Sequence, residues 1–301
     1  MNQSMLTILS RVRGLFQTGI FFLAFCLWFP QFSSAMVGIE VMAQKSRWTV
    51  DQLSVQEQIS QSGTYLYLPL GSLAYFEAAQ EQLDIVYKGA ALPLKQGDSS
   101  AALNLLLGPM MLSAGMHRVK SSDIKVDGGK TTAYSASVPE IFHISLGFAS
   151  YETEFPNFTF ETQPDSKGLS VKQTSPRLGI SFFDGSFSVQ VQRDQIEVAD
   201  STGQTNQGYR SNQVSGNLWV QPFYLTYTKW TGKRLFYADN KALYLNSLSQ
   251  VYEGGNRAAV TWMPTGWMDL AYIRTNEFFI EPNLADLLKS KIDTLNLTVR
   301  F

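Results

Sequence analysis

The chain contains little of what many exported or catalytic proteins rely on. Cys26 is its single cysteine, it has two histidines, and 16% of its 301 residues are charged, whereas a typical soluble domain has about 25%. After residue 35 we find no uncharged apolar stretch of the roughly 18–20 residues that a membrane-spanning helix requires. The sequence therefore predicts no helical membrane bundle, no disulfide framework and no transition-metal site.

The N-terminal residues have the features of an export signal. Arg11 and Arg13 form a basic segment, residues 19–29 are apolar and uncharged, Pro30 follows, and residues 33–35 are small. This order is typical of a secretory signal peptide, and the apolar run is too short to anchor the chain in a bilayer. We therefore predict a signal peptide over residues 1–35. A second possible cleavage site lies at residues 41–43, and an uncleaved anchor is the alternative.

The chain that remains after residue 35 has 22 basic and 25 acidic residues and no cysteine. A slightly acidic chain lacks the basic surface with which proteins bind nucleic acid, so we expect no nucleic-acid partner. The sequence has no glycine-rich phosphate loop and only scattered acidic residues, so we expect no cofactor and no metal. Aromatic residues, in contrast, make up 13% of the chain.

Segments of alternating apolar and polar residues recur along the sequence, which is the pattern of strands with one apolar face. Residues 178–182 and 187–191 alternate on either side of Asp184-Gly185, a two-residue hairpin signal. Residues 260–263 and 268–272 flank a second turn at residues 264–266. These segments predict antiparallel hairpins with short turns.

Two further segments fit strands with interruptions. Residues 214–220 alternate as far as Pro222, and residues 223–227 continue on the other parity, which indicates a turn or a bulge. Residues 101–116 are uncharged and almost wholly apolar, but Gly108-Pro109 interrupts them. Because proline breaks a helix, this segment predicts two strands or one bent strand.

The last residues alternate strictly and end on an aromatic ring. Leu295, Leu297, Val299 and Phe301 are apolar, and the residues between them are polar. Residues 292–301 thereby resemble the C-terminal signature of bacterial outer-membrane β-barrel proteins. The resemblance implies that the last strand closes the barrel, with Phe301 at the periplasmic interface. It also implies two partners, the outer-membrane lipid and the barrel-assembly machinery, which would bind the C-terminal strand.

Together these patterns predict an all-β fold, a closed antiparallel transmembrane β-barrel in the outer membrane of a Gram-negative bacterium. Chain length predicts about 12 strands, with 10 as the alternative. We assign residues 63–301 to the barrel. Residues 36–62 are predicted to be an N-terminal extension, periplasmic or a plug, with a short helix over residues 48–60. A soluble exported β-sandwich is the rival fold.

Aromatic residues cluster at the predicted strand ends. If Phe301 lies at the periplasmic face, the turns at 184–185 and 264–266 lie there too, and their rings would form one membrane girdle. The predicted girdle residues are Phe182, Phe183, Phe187, Trp262, Trp267 and Phe301. The longer polar stretches 201–213 and 276–289 are predicted to be external loops.

The parity opposite the apolar face should face the barrel interior. The predicted lumen-lining residues are Arg177, Gln190, Gln192, Asn217, Asp269, Asn296 and Arg300. Their mixed charges favour a small porin-like channel with weak ion selectivity, which would pass ions or small solutes. The alternatives are a non-conducting structural or binding barrel that acts through its external loops, and a lipid hydrolase.

The hydrolase alternative depends on three residues. His143, Ser145 and Asn157 resemble the His-x-Ser element of outer-membrane phospholipase A and the lipid A deacylases, in which the histidine activates the serine. Those families have asparagine after the serine, whereas this chain has Leu146. Alternation also directs His143 and Ser145 to the interior and Phe148 to lipid. We therefore favour an interior histidine without catalytic function.

Overall fold

The computed structural model describes residues 38–89, 92–160, 163–200, 207–245, 250–281 and 286–301, so the predicted signal peptide lies outside the described residues. The strands, in chain order, are β1 (Glu40–Val50), β2 (Gln56–Pro69), β3 (Ala74–Tyr87), β4 (Leu94–Leu107), β5 (Met110–Ser121), β6 (Lys130–Ile141), β7 (Ile144–Phe160), β8 (Gln163–Phe182), β9 (Phe187–Asp200), β10 (Gln207–Val220), β11 (Phe223–Arg234), β12 (Ala238–Asp239), β13 (Tyr244–Leu245), β14 (Val251–Thr265), β15 (Met268–Ile280) and β16 (Leu288–Arg300). Strands β12 and β13 pair only with each other, and the other fourteen form one closed antiparallel barrel.

The seam of the barrel joins the first strand to the last. β1 and β16 pair in register from Glu40 opposite Arg300 to Val50 opposite Ser290. Beyond them, Ile39 and Phe301 exchange two backbone hydrogen bonds, with N–O distances of 3.2 and 2.9 Å. Closure leaves no unpaired edge, which a strand in a membrane cannot tolerate. The closed all-β barrel predicted from the sequence is therefore confirmed, including the role of the C-terminal strand.

The predicted strand count was wrong, because the barrel has fourteen strands and not 12 or 10. Part of the difference lies in residues 36–62. Residues 40–62 do not form an extension, a plug or a helix, because Glu40–Val50 and Gln56–Pro69 are barrel strands. The inward rows of these strands include Gln44, Ser46 and Gln61, so their sequence resembles a polar helix more than a membrane strand.

The two ends of the barrel differ in their connections. Six short connections and both Glu40 and Phe301 lie at one end, which we name the turn end; the opposite end is the loop end. Gly108 (φ 61°) and Gly185 (φ 84°) occupy tight turns at the turn end, where positive φ favours glycine. Short turns on one side and longer loops on the other are typical of outer-membrane barrels.

Several predicted local features are confirmed and others are corrected. Residues 101–116 form parts of two strands joined at Gly108-Pro109, and the change of parity near Pro222 is a tight turn between β10 and β11. The predicted external loops are shorter than expected, because residues 207–213 belong to β10 and residues 276–280 to β15. No helix within the described ranges is long and apolar enough to cross a membrane.

An apolar belt surrounds the outside of the barrel on the side of the turn end. Its exposed members include Leu103, Leu105, Leu107, Ile144, Leu146, Phe148, Leu178, Ile180, Val191, Leu218, Leu225, Val260, Leu295 and Leu297. Farther toward the loop end, the same outward rows carry charges, including Lys45, Arg47, Arg118, Glu152, Arg193, Lys229 and Arg274. The strands, up to 20 residues long in β8, therefore extend beyond the belt, since a membrane strand needs only about 9–11 residues.

The six predicted girdle residues all lie at the turn end. Phe183 and Phe301 are 81% and 78% exposed, and Phe182, Trp262 and Trp267 are also exposed outward. Phe187 stacks on Phe182, with 5.9 Å between ring centroids. The rings thus lie along the border of the apolar belt that is nearest the turn end.

Deleting Phe301 should lower the fraction of folded, heat-modifiable protein in the outer membrane. The deletion removes both backbone hydrogen bonds to Ile39 and the exposed terminal ring. Gel mobility with and without heating measures the folded fraction, and Phe301→Tyr, which keeps the ring and the backbone bonds, is the control. An unchanged folded fraction in the deletion would contradict the closing role of this residue.

Candidate functional site

A segment between β11 and β14 folds into the barrel interior. We name residues 235–245 the inserted loop. It contains β12, a short 3₁₀ turn at Asn240–Ala242, and β13. Phe236, Ala238 and Ala242 are at most 2% exposed, although the loop is not part of the barrel wall. Its burial results from contacts with strands on the far side of the lumen.

The apolar part of the inserted loop packs on β7, β8 and β9. The Phe236 ring lies 4.9 Å from that of Phe155 and 5.7 Å, edge to face, from that of Phe158. Inward-facing Val171, Ile196 and Val198 complete this buried cluster. These apolar residues lie on inward rows that elsewhere carry polar side chains. Their apolar character is accounted for by the inserted loop, which covers them. Burial of this area favours the inserted position by the hydrophobic effect.

Polar contacts fix the loop at three points of the wall. Gln173 on β8 clamps the backbone of Ala238, accepting from its N–H at 3.0 Å and donating to its carbonyl at 2.8 Å. His117 Nδ1 on β5 lies 3.0 Å from the Ala242 carbonyl oxygen. Lys241 Nζ donates to Glu77 Oε2 on β3 at 2.7 Å. The loop therefore crosses the lumen and is attached on the opposite wall.

Gly115 on β5 provides the space for this attachment. A Cβ atom added there would lie 1.9 Å from the Lys241 carbonyl oxygen, far inside van der Waals contact. Any other residue would force the loop away from the wall. The absence of a side chain at this position is thus part of the docking site.

Arg234, the last residue of β11, holds the base of the loop through a buried network. Its Nη2 donates to Asp194 Oδ2 at 2.9 Å, and its guanidinium lies 4.2 Å from the Tyr237 ring centroid. Asp194 is fully buried and also accepts from Ser175, Ser211 and Gln192 at 2.7–2.9 Å. Hydrogen bonds between charged groups are stronger than neutral ones, and a fully satisfied buried network makes its surroundings rigid.

Two cavities lie on either side of the inserted loop. The larger, about 470 Å³, is bounded by β1, β2, β3, β10, β11 and β14–β16. The smaller, about 360 Å³, lies toward the turn end against β6–β10. Asn240 in the loop lines both. The loop therefore divides the lumen and narrows the route between its two halves.

The seven predicted lumen residues all lie on inward rows, at different places. Arg177, Gln190 and Asn217 line the smaller cavity, and Asn296 lines the larger. Gln192 donates to Asp194, so it belongs to the buried network. Asp269 and Arg300 form an ion pair at the turn end, where Arg300 Nε also donates to Glu40 Oε1 at 2.9 Å.

The three residues of the hydrolase alternative do not form one site. His143 lies in the turn before β7, with its Nδ1 3.5 Å from Ser181 Oγ. Ser145 and His143 both line the smaller cavity, and Phe148 is exposed outward. Asn157 lies toward the other end of β7 and donates to the Asp127 carbonyl. Twelve residues of strand place it roughly 40 Å from Ser145, too far to orient His143.

The inserted loop and its anchors were not found from the sequence. A signal was present on β9, where Ile196 and Val198 share the inward parity of Gln190 and Gln192. Apolar residues on a polar row indicate a partner inside the barrel. Which segment covers them is not readable from alternation alone.

The fold is similar to those of bacterial outer-membrane β-barrels. A FadL homologue of Pseudomonas aeruginosa aligns with a TM-score of 0.51 and 9% identity over 88% of this chain and 90% of the other. A bacterial polysaccharide outer membrane secretin aligns with a TM-score of 0.51 and 10% identity over 87% and 98%. The translocator domain of autotransporter NalP from Neisseria meningitidis covers 97% of this chain and 98% of its own, with a TM-score of 0.42 and 11% identity. No family model and no curated protein matches the chain, and the structural likeness establishes the fold alone.

Proposed function

We propose that this protein is an outer-membrane channel that passes ions and small polar solutes, with the inserted loop setting its width. The observation that carries the proposal is the pair of polar-lined cavities that both reach Asn240 in the inserted loop. A barrel of about 8 strands is filled by side chains, whereas one of 16–18 strands leaves an aqueous channel. Fourteen strands lie between these cases, so an internal loop is enough to determine the opening.

The outer surface supports insertion in the outer membrane of a Gram-negative bacterium. The apolar belt would face the lipid, and the six aromatic residues at the turn end would form its periplasmic girdle. Residues 1–35 would direct export, and the C-terminal strand would be read by the assembly machinery. The fold shared with bacterial outer-membrane barrels agrees with this placement.

The charges of the interior predict weak ion selectivity. Arg234 pairs with Asp194, Lys241 with Glu77, and Arg300 with Asp269, so cations and carboxylates largely compensate each other. We therefore expect a reversal potential near zero in a salt gradient. Polar inward rows also favour hydrated solutes over apolar ones.

Single-channel recording of the refolded protein without residues 1–35, in a planar bilayer, tests the proposal. Reproducible conductance steps from protein shown to be folded by heat modifiability would support a channel. Silence from folded, inserted protein would contradict it and favour the non-conducting structural or binding barrel. A preparation made in the same way from cells that do not express the protein controls for contaminating porins, because it should give no steps.

A further inference from the structure

The geometry points to neutral polyhydroxylated solutes, such as short saccharides, as the molecules that the larger cavity binds. This inference rests on the proposed channel function and specifies its substrate class. The cavity volume of about 470 Å³ falls in the range of small-molecule sites, roughly 300–1,000 Å³.

The lining of the larger cavity is mostly uncharged and rich in hydrogen-bonding groups. Nine of its 23 residues have amide or hydroxyl side chains and six are tryptophan or tyrosine, whereas five are charged and three are apolar. An amide both donates and accepts, as a sugar hydroxyl does. This composition fits a solute with many hydroxyl groups better than a hydrocarbon or a salt.

The charged residues of the cavity disfavour anions. Carboxylates Glu81, Asp239 and Glu277 outnumber the guanidinium groups of Arg234 and Arg257. Arg234 is already paired with Asp194. An anionic solute would therefore meet no excess of positive charge that could bind it.

The aromatic rings are spaced along the wall. Trp48 and Tyr65 stand on the inward rows of β1 and β2 and are both partly exposed. Tyr65 pairs in register with Met42, and the six residues from Met42 to Trp48 correspond to roughly 20 Å of strand. Gln44 and Ser46 lie between them on the same inward row. Two rings that can stack on the C–H face of a sugar thus flank the amide of Gln44, which can bind its hydroxyls.

Two buried polar atoms on this wall have no partner within the described part of the chain. Trp48 Nε1 is a donor and Asn296 Oδ1 is an acceptor, and neither makes a hydrogen bond. Asn296 is 8% exposed, and both residues line the larger cavity. Buried polar groups normally have partners. Asn296 pairs with Gln44 and Trp48 with Ile292, so the two residues lie roughly 13 Å apart along the wall. A solute with several hydroxyl groups can supply an acceptor to one and a donor to the other.

The test is the block of single-channel current by a neutral trisaccharide, maltotriose, in potassium chloride. We expect brief, reversible interruptions whose frequency rises with maltotriose concentration. Polyethylene glycol of equal hydrodynamic size should cause fewer interruptions, and so should trigalacturonate, which is anionic. Trp48→Ala should weaken maltotriose binding about fivefold to tenfold, because a stacking ring and a donor are lost.

Trp219→Ala is the matched control, since Trp219 is 46% exposed near the turn end and lines neither cavity; its maltotriose block should equal that of wild type. Conducting channels that maltotriose blocks no better than polyethylene glycol, or less than trigalacturonate, would overturn the inference while leaving the channel function intact.

If the folded barrel does not conduct, tryptophan fluorescence during a maltotriose titration in detergent decides whether the larger cavity binds the sugar. Saturable binding that Trp48→Ala weakens supports the site, and no change in wild type overturns it.

Discussion

Replacing residues 236–250 by a short glycine-rich linker should raise the single-channel conductance about twofold or more. Without the inserted loop, only the side chains of the wall set the width of a barrel of this size. The loop occupies the space between the two cavities, with Phe236 and Ala242 buried against the opposite wall. A short linker can bridge the gap, because Arg234 and Tyr252 are partners in the pairing of β11 with β14. Planar-bilayer recording measures the change.

Removing the loop also exposes the apolar cluster to water, so a second variant that keeps the loop but displaces it is needed. Gly115→Ala removes no atom but places a methyl group against the Lys241 carbonyl, which should displace the loop and change the conductance or its noise. Gly97→Ala on the neighbouring strand β4 is the control, because an added Cβ there meets nothing within 4 Å. Wild-type conductance in both the deletion and Gly115→Ala, in barrels shown to be folded, would mean that the loop does not determine the width.

Replacing Asp194 by alanine should destabilise the barrel by about 3–5 kcal/mol, since it leaves a buried guanidinium without its carboxylate. Arg234 is 6% exposed, and Asp194 is completely buried and accepts four side-chain hydrogen bonds. The three other donors, Ser175, Ser211 and Gln192, are also buried. The urea midpoint of unfolding, followed by tryptophan fluorescence in detergent micelles, measures the loss.

Asp293→Ala provides the comparison on the outer surface. Asp293 also pairs with an arginine, Arg274, but its side chain is 35% exposed, and exposed pairs contribute little. We expect the urea midpoint of the Asp293→Ala variant to stay close to that of wild type. The double variant Asp194→Leu with Arg234→Leu should recover part of the loss, because no isolated charge remains. Equal shifts for Asp194→Ala and Asp293→Ala would refute the importance of the buried network.

Local alternation predicted the terminal strand and the hairpin around Asp184-Gly185, and the Gly108-Pro109 interruption predicted two strands or one bent strand within residues 101–116. These features depend on a strand having two faces, and each can be read from a few neighbouring residues. The same rule failed for Glu40–Val50, whose outward row continues from Val41 and Ala43 into Lys45 and Arg47. Because the strands extend beyond the apolar belt, polar residues occupy both faces there and the alternation disappears. The strand count was predicted from chain length, and it was underestimated because the chain uses fewer residues per strand and connection than a 12-stranded barrel of this length would.

The amino-acid sequence by itself determined that the chain forms an antiparallel barrel, which residues face outward, and which end carries the short turns, since these depend on alternation and turn chemistry. Only the tertiary structure decided what occupies the interior. Parity shows that Gln173, His117 and Ile196 point inward, but it cannot show that residues 235–245 cross the lumen to meet them. Those contacts join residues that are far apart in the chain, and their energy depends on closure of the whole barrel.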